Sequence, residues 1–227
     1  MLRWRPRRAT PHARPIAAAL AAWSLALGGA RAVGAQILSL PSANPEPDSW
    51  IAAGTVFTNA MGLRDDDRNS YWTVNGVTGY RISIDKAMGS GTTLGVAITF
   101  TNPATFVNGG TKCPTGCTGS GQFVSYALNY RTSGFSPGMS SIGELSLGVL
   151  RPGTIRDKTL GTEIAPDRTI PFAGIGGGLA FTTSRRWQVE LVQEYHSIFA
   201  GGGISGASTQ WITRLGVRIG FGAREGY

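Results

Sequence analysis

Three groups of side chains in this chain have the types and spacing to do chemistry. Tyr195-His196-Ser197 sets an imidazole beside a hydroxyl, the two parts of a base-activated nucleophile. Glu190 and Glu194 lie four residues apart, as do Arg214 and Arg218, so two acids and two bases could pair in ranks. Cys113 and Cys117 share the stretch Lys112-Cys113-Pro114-Thr115-Gly116-Cys117-Thr118. A close pair separated by Pro and Gly fits a disulfide that pins a loop tip, provided the chain is exported. The redox alternative has three intervening residues where two are usual. A metal site would need more than two thiols with no histidine nearby. No metal and no cofactor are expected.

The imidazole and hydroxyl face a geometric objection. Neighbours on a regular strand point to opposite sides, so His196 and Ser197 meet only if a bulge re-aims one of them. His196 is the single histidine after residue 35, so any imidazole chemistry must use it. Its simpler role is a polar residue on an inward face.

The elements that position these groups read as strands. From Trp211 to Phe221, one face carries Trp211, Thr213, Leu215, Val217, Ile219 and Phe221, and the other carries Ile212, Arg214, Gly216, Arg218 and Gly220. An apolar face backed by arginines suits a wall with hydrocarbon on one side and a polar lumen on the other. The preceding strand places Gln188, Glu190, Val192, Glu194 and His196 on one face, with Gln193 an exception among the apolar residues opposite. Antiparallel partners keep a constant residue sum, and 408 sets Glu190 opposite Arg218 and Glu194 opposite Arg214. The expected lumen is a polar plug of ion pairs, with Arg81, Arg131 and Glu144 also inward and no wide channel.

Eight such segments span about 49–60, 71–85, 92–102, 121–132, 139–151, 169–182, 187–199 and 210–221, lengths suited to tilted strands crossing a bilayer. Short links, Lys86 to Gly91, Ser133 to Gly138 and Thr183 to Arg186, alternate with long ones. The long ones run Met61 to Ser70, Pro103 to Ser120, Pro152 to Arg168 and Ala200 to Thr209. Aromatics such as Trp50, Trp72, Tyr130, Trp187 and Trp211 fall near strand ends, where an interfacial girdle would lie. Arg64-Asp65-Asp66-Asp67-Arg68, in the first long link, reads as a solvated tip, with cation or phosphate binding as the alternative.

Residues 1–35 read as a signal peptide: Arg3, Arg5, Arg7 and Arg8, an apolar run from Ile16 to Ala30, then Val33-Gly34-Ala35. Residues 36–48, with Pro41, Pro45 and Pro47, read as an extended periplasmic leader. Six of the 21 Lys+Arg and none of the 13 Asp+Glu precede residue 36, leaving 15 against 13. The basic pI therefore belongs to the export segment, and nucleic acid is not an expected partner.

Residues 49–221 resemble the small outer-membrane β-barrels of the OmpA/OmpX type. The resemblance implies an all-β, eight-stranded antiparallel up-and-down transmembrane barrel in the cell outer membrane, monomeric, among outer-membrane lipid and lipopolysaccharide. Leu215, Val217, Ile219 and Phe221 look like the terminal signal read by the barrel-assembly machinery, although residues 222–227 form a short tail beyond it. A weaker resemblance is to the outer-membrane lipid A deacylases, which carry His-x-Ser and a nearby Glu. Here Ile198 stands at the serine position and Gln210 near the carboxylate position. The reading is thus a structural or interaction protein without a catalytic set. A hydrolase centred on His196 and Ser197, or a narrow pore for small solutes, is the alternative.

Overall fold

The computed structural model describes residues 46–89, 91–133, 138–184, 186–205 and 208–223. The expected signal peptide, most of the expected leader and residues 224–227 lie outside them. Every regular element among the described residues is a strand. β1 (Ser49–Thr58) leads to a first hairpin, β2 (Met61–Asp65) and β3 (Ser70–Val74), and β4 (Thr78–Gly89) returns. β5 (Thr92–Thr101) leads to a second hairpin, β6 (Ala104–Gly109) and β7 (Cys113–Ser120), and β8 (Phe123–Ser133) returns. β9 (Gly138–Pro152) precedes the short pair β10 (Ile155–Asp157) and β11 (Glu163–Ala165), and β12 (Ile170–Ser184) follows. β13 (Trp187–Ile198), β14 (Ile204–Ser205) and β15 (Ser208–Phe221) complete the chain.

Eight of these strands close a barrel in the order β1-β15-β13-β12-β9-β8-β5-β4, each antiparallel to its neighbours. The closing seam pairs Ser49 with Phe221 through to Thr58 with Ile212. Closure leaves no unpaired edge, which is what strands in hydrocarbon require. Alternation then sorts the side chains. Leu147, Val96, Ile84, Leu145, Leu215 and Leu128 point outward and are 49–65 % exposed, a belt with the character of hydrocarbon-facing surface.

The long links are not open loops. Their strands form a second sheet of seven, ordered β11-β10-β7-β6-β3-β2-β14, which continues the wall beyond the barrel. Residues 70–74 accordingly belong to this sheet, and the second barrel strand begins at Thr78, where 71 was expected. The reason is burial: Trp72 and Val74 are 0 % and 2 % exposed and pack with Met61 and Leu63, so their alternation reports a different wall. The strand breaks at Asn75-Gly76. A Cβ on Gly76 would lie 2.5 Å from the Thr58 carbonyl, so only glycine lets the chain pass this close as it changes sheets.

One apolar core fills the hairpin end. Phe123, Leu150, Ile170, Phe172 and Ile198 from the barrel wall join Leu63, Trp72, Val107, Ile155 and Ile164 from the outer sheet. The Trp72 indole N–H donates to Ser70 Oγ at 3.2 Å, so this buried ring leaves no unmet donor. The expected all-polar plug therefore holds only for the other half of the interior. Two aromatics placed in the girdle are also corrected. Trp50 and Trp72 are both fully buried, while Trp187, Trp211 and Phe221 do lie on the outer surface.

Candidate functional site

The charged lumen is built by the inward faces of five strands. Arg81 on β4 donates to Glu144 on β9 (2.9 Å) and Glu194 on β13 (3.1 Å). Arg214 on β15 pairs with Glu144 (2.7 Å) and Glu194 (2.9 Å) and approaches Glu190 at 3.5 Å. Nearer the short-turn end, Arg131 on β8 pairs with Glu190 (2.5 Å), and Arg218 with Asp85 on β4 (3.0 Å). The Arg218 guanidinium also lies 4.6 Å from the Trp50 ring centroid, a cation–π contact that closes the floor. Arg81, Arg131, Arg214 and Arg218 thus face Asp85, Glu144, Glu190 and Glu194, all at most 6 % exposed. Burial on this scale is tolerable only because each charge has partners.

The register differs from expectation by two residues. β13 and β15 pair Gln188 with Arg218, Glu190 with Gly216, Val192 with Arg214 and Glu194 with Ile212. Glu194 and Arg214 consequently meet on the diagonal, and Arg218 finds Asp85 on β4, past the intervening β1, instead of Glu190. Long side chains reach diagonal neighbours readily, and small Gly216 leaves room beside Glu190 for the arginines to swing through. The awkward Gln193 faces outward, where its Oε1 accepts from Thr213 Oγ1 on the neighbouring strand at 2.7 Å. That bond satisfies an amide oxygen on the apolar surface.

His196 sits where the charged layer meets the apolar core. Its Nε2 lies 3.0 Å from Glu194 Oε2, and its ring stacks on Phe172 with centroids 4.6 Å apart. It is 4 % exposed. A Cβ on Gly174 would lie 2.3 Å from Ser146 Oγ and 2.5 Å from His196 Cδ2, so glycine there makes room for the imidazole. A cavity of about 20 Å³ lined by Thr58, Thr99, Ser125, Phe172, His196 and Gln210 has room for one water molecule. Ser197 lies on the opposite, outward face of β13, so it and His196 form no dyad. Gln210 is the register partner of His196 and points inward without a charge to offer. Sequence reasoning missed Ser146; its place in the inward alternation of β9 was the available signal.

At the hairpin end, ion pairs join segments that the sheet ladder leaves apart. Arg168, after β11, donates to both Asp65 oxygens (2.8 and 2.9 Å) and to Asp67 (2.8 Å). Partial burial pulls the Arg168 pKa down, but the hydrogen bonds and charges of Asp65 and Asp67 outweigh it, and the net direction is up. Arg68 reaches Glu163 at 3.5 Å, and Lys112 reaches the same carboxylate at 3.3 Å. The acidic run at 65–67 is therefore engaged with arginine: Asp65 is fully buried, and Asp66 pairs with Arg64 at 2.9 Å. Cys113 and Cys117 form a disulfide within β7. Asp157 has its pKa lowered by backbone N–H groups of Leu160 and Thr159, which fix the exposed turn after β10. Among the described residues, no group of three or more His, Cys, Asp or Glu could hold a metal ion.

Leu215, Val217, Ile219 and Phe221 form an outward row on β15, each 39–50 % exposed. No protein-family model and no curated protein matches the chain. Solved structures do. Neisserial surface protein A (NspA) is similar at 12 % identity over 77 % of this chain and 97 % of its own, with a TM-score of 0.55. The outer membrane protein OprG from Pseudomonas aeruginosa is similar at 11 % identity over 79 % of this chain and 98 % of its own, with a TM-score of 0.56. The closed eight-strand wall, its outward apolar belt and these likenesses agree: the chain has the fold of the small eight-stranded outer-membrane barrels.

Proposed function

We propose that this protein resides in the outer membrane as a closed barrel of structural or interaction type, without catalytic activity, and displays its outer sheet to the surroundings. The observation that carries this reading is the apolar core shared by the barrel wall and the outer hairpins. A solute would have to displace Trp72, Phe172 and Ile198 at one end and the Trp50–Arg218 contact at the other. That favours presentation of a rigid surface over a diffusion path. The hairpin end faces outward in this reading, amid lipopolysaccharide, and the row Leu215, Val217, Ile219 and Phe221 serves as the signal for the barrel-assembly machinery. The working form is a monomer.

Planar-bilayer recording tests the closed lumen. The mature protein is expected to give no steady conductance, and a persistent open level would remove this reading. Mass spectrometry of lipid A from cells with and without the protein addresses the hydrolase alternative. The spectrum is expected to be unchanged, because His196 and Ser197 face opposite sides of β13.

A further inference from the structure

The turn-end half of the lumen carries more hydrogen-bond donors than its own acceptors use. Arg218 gives Nη2 to Asp85 (3.0 Å) and to Thr93 Oγ1 (3.1 Å), while its Nε and Nη1 meet no acceptor at 0 % exposure. Arg131 repeats the pattern: Nη1 donates to Glu190, and Nε and Nη2 meet no acceptor at 4 % exposure. The middle layer differs in degree, because Arg81 and Arg214 each give both terminal nitrogens to carboxylates and keep only Nε without an acceptor. The two under-used arginines converge. Thr93, which accepts from Arg218, stands directly opposite Arg131 in the β5–β8 register on the same inward face.

We propose that a small monovalent anion of halide class is held between Arg131 and Arg218 in the turn-end half of the lumen. Buried N–H groups without an acceptor are rare in folded proteins, and these four nitrogens are concentrated in one place. A water molecule could accept from them but must place two protons of its own. The unpartnered oxygens on these faces are Gln188 Oε1 and Asn129 Oδ1, both amides whose oxygen and nitrogen ends exchange on a flip. Flipped, they turn N–H groups toward the same space, where Asp85, Glu190 and Thr93 already accept from the arginines. Asp85 and Glu190 engage one terminal nitrogen of each arginine, which leaves the other terminal nitrogen for a ligand. Asp85 and Glu190 balance the two guanidinium charges, so a ligand here is held by the remaining charge-assisted N–H groups inside a low-dielectric wall. An eight-stranded interior has little space beyond its side chains, which selects a single-atom ion over phosphate.

The test uses the purified mature barrel in detergent. Thermal unfolding is followed while chloride or bromide replaces gluconate at constant ionic strength. The midpoint is expected to rise by about 3–5 °C per tenfold halide once the site is near saturation. Crystals grown in bromide should show an anomalous peak within hydrogen-bonding distance of both arginines. A midpoint indifferent to halide, or ordered water with no bromide at that position, overturns the proposal. The double variant Arg131→Gln, Glu190→Gln keeps the lumen neutral and should lose the halide response. Retention of the full response overturns the proposal. If that variant does not fold, the bromide position in the unaltered protein decides: between the arginines it supports the site, elsewhere it defeats it.

Discussion

Glu194 is the most connected acid of the lumen, in contact with Arg81, Arg214 and His196. Removing it leaves buried positive charge with fewer partners. Glu194→Ala should therefore lower unfolding stability by about 3–5 kcal/mol, read from urea denaturation in lipid or detergent. Arg214→Ala on that background should recover part of the loss, and strictly additive losses would mean that the pair does not act together. At this scale the sequence was half legible. A period of two places Glu190, Glu194, His196, Arg214 and Arg218 on inward faces without further information. Their partners were not legible, because strand tilt brings together residues two positions apart. Arg81 and Glu144 also arrive from strands remote in sequence.

Among the elements, the barrel strands and the outer hairpins carry the same signal. Alternation says that one face is buried, and it does not say whether hydrocarbon or an apolar core covers it. That is why residues 71–74 looked like the start of a membrane strand and belong to a hairpin. It is also why the long links, rich in Gly, Asp and Pro, gave no sign that they pair edge to edge. The free ends of the seven-stranded sheet depend on side chains, chiefly Arg168 with Asp65 and Asp67. Arg168→Ala should let the outer sheet open locally while the barrel stays intact. Limited proteolysis of the variant is expected to cut within 155–168 several-fold faster than in the parent, with the barrel fragment surviving. Equal cutting rates would show that the ion pairs do not hold this end.

For the molecule as a whole, the decisive contrast is between two exposed leucines. Leu147 on the barrel wall is 65 % exposed, and Leu160 on the turn after β10 is 75 % exposed. Only the first lies in the belt assigned to lipid. Leu147→Arg should cost about 2–4 kcal/mol in a bilayer, whereas Leu160→Arg should cost close to nothing. Folding titrations in liposomes compare the two, and equal effects would remove the membrane boundary drawn here. Strand count and up-and-down order were readable from eight alternating segments separated by short and long links. The second wall was not, because the same alternation in the long links is broken by Gly, Pro and Asp and does not say which strands pair.

In the outer sheet, Trp72, Val107 and Ile155 are committed inward, while Tyr71, Phe106 and Arg156 beside them point away. Tolerance to substitution should therefore flicker from one residue to the next along each of these ribbons. Sequence change could recolour every second position and keep the scaffold beneath unchanged.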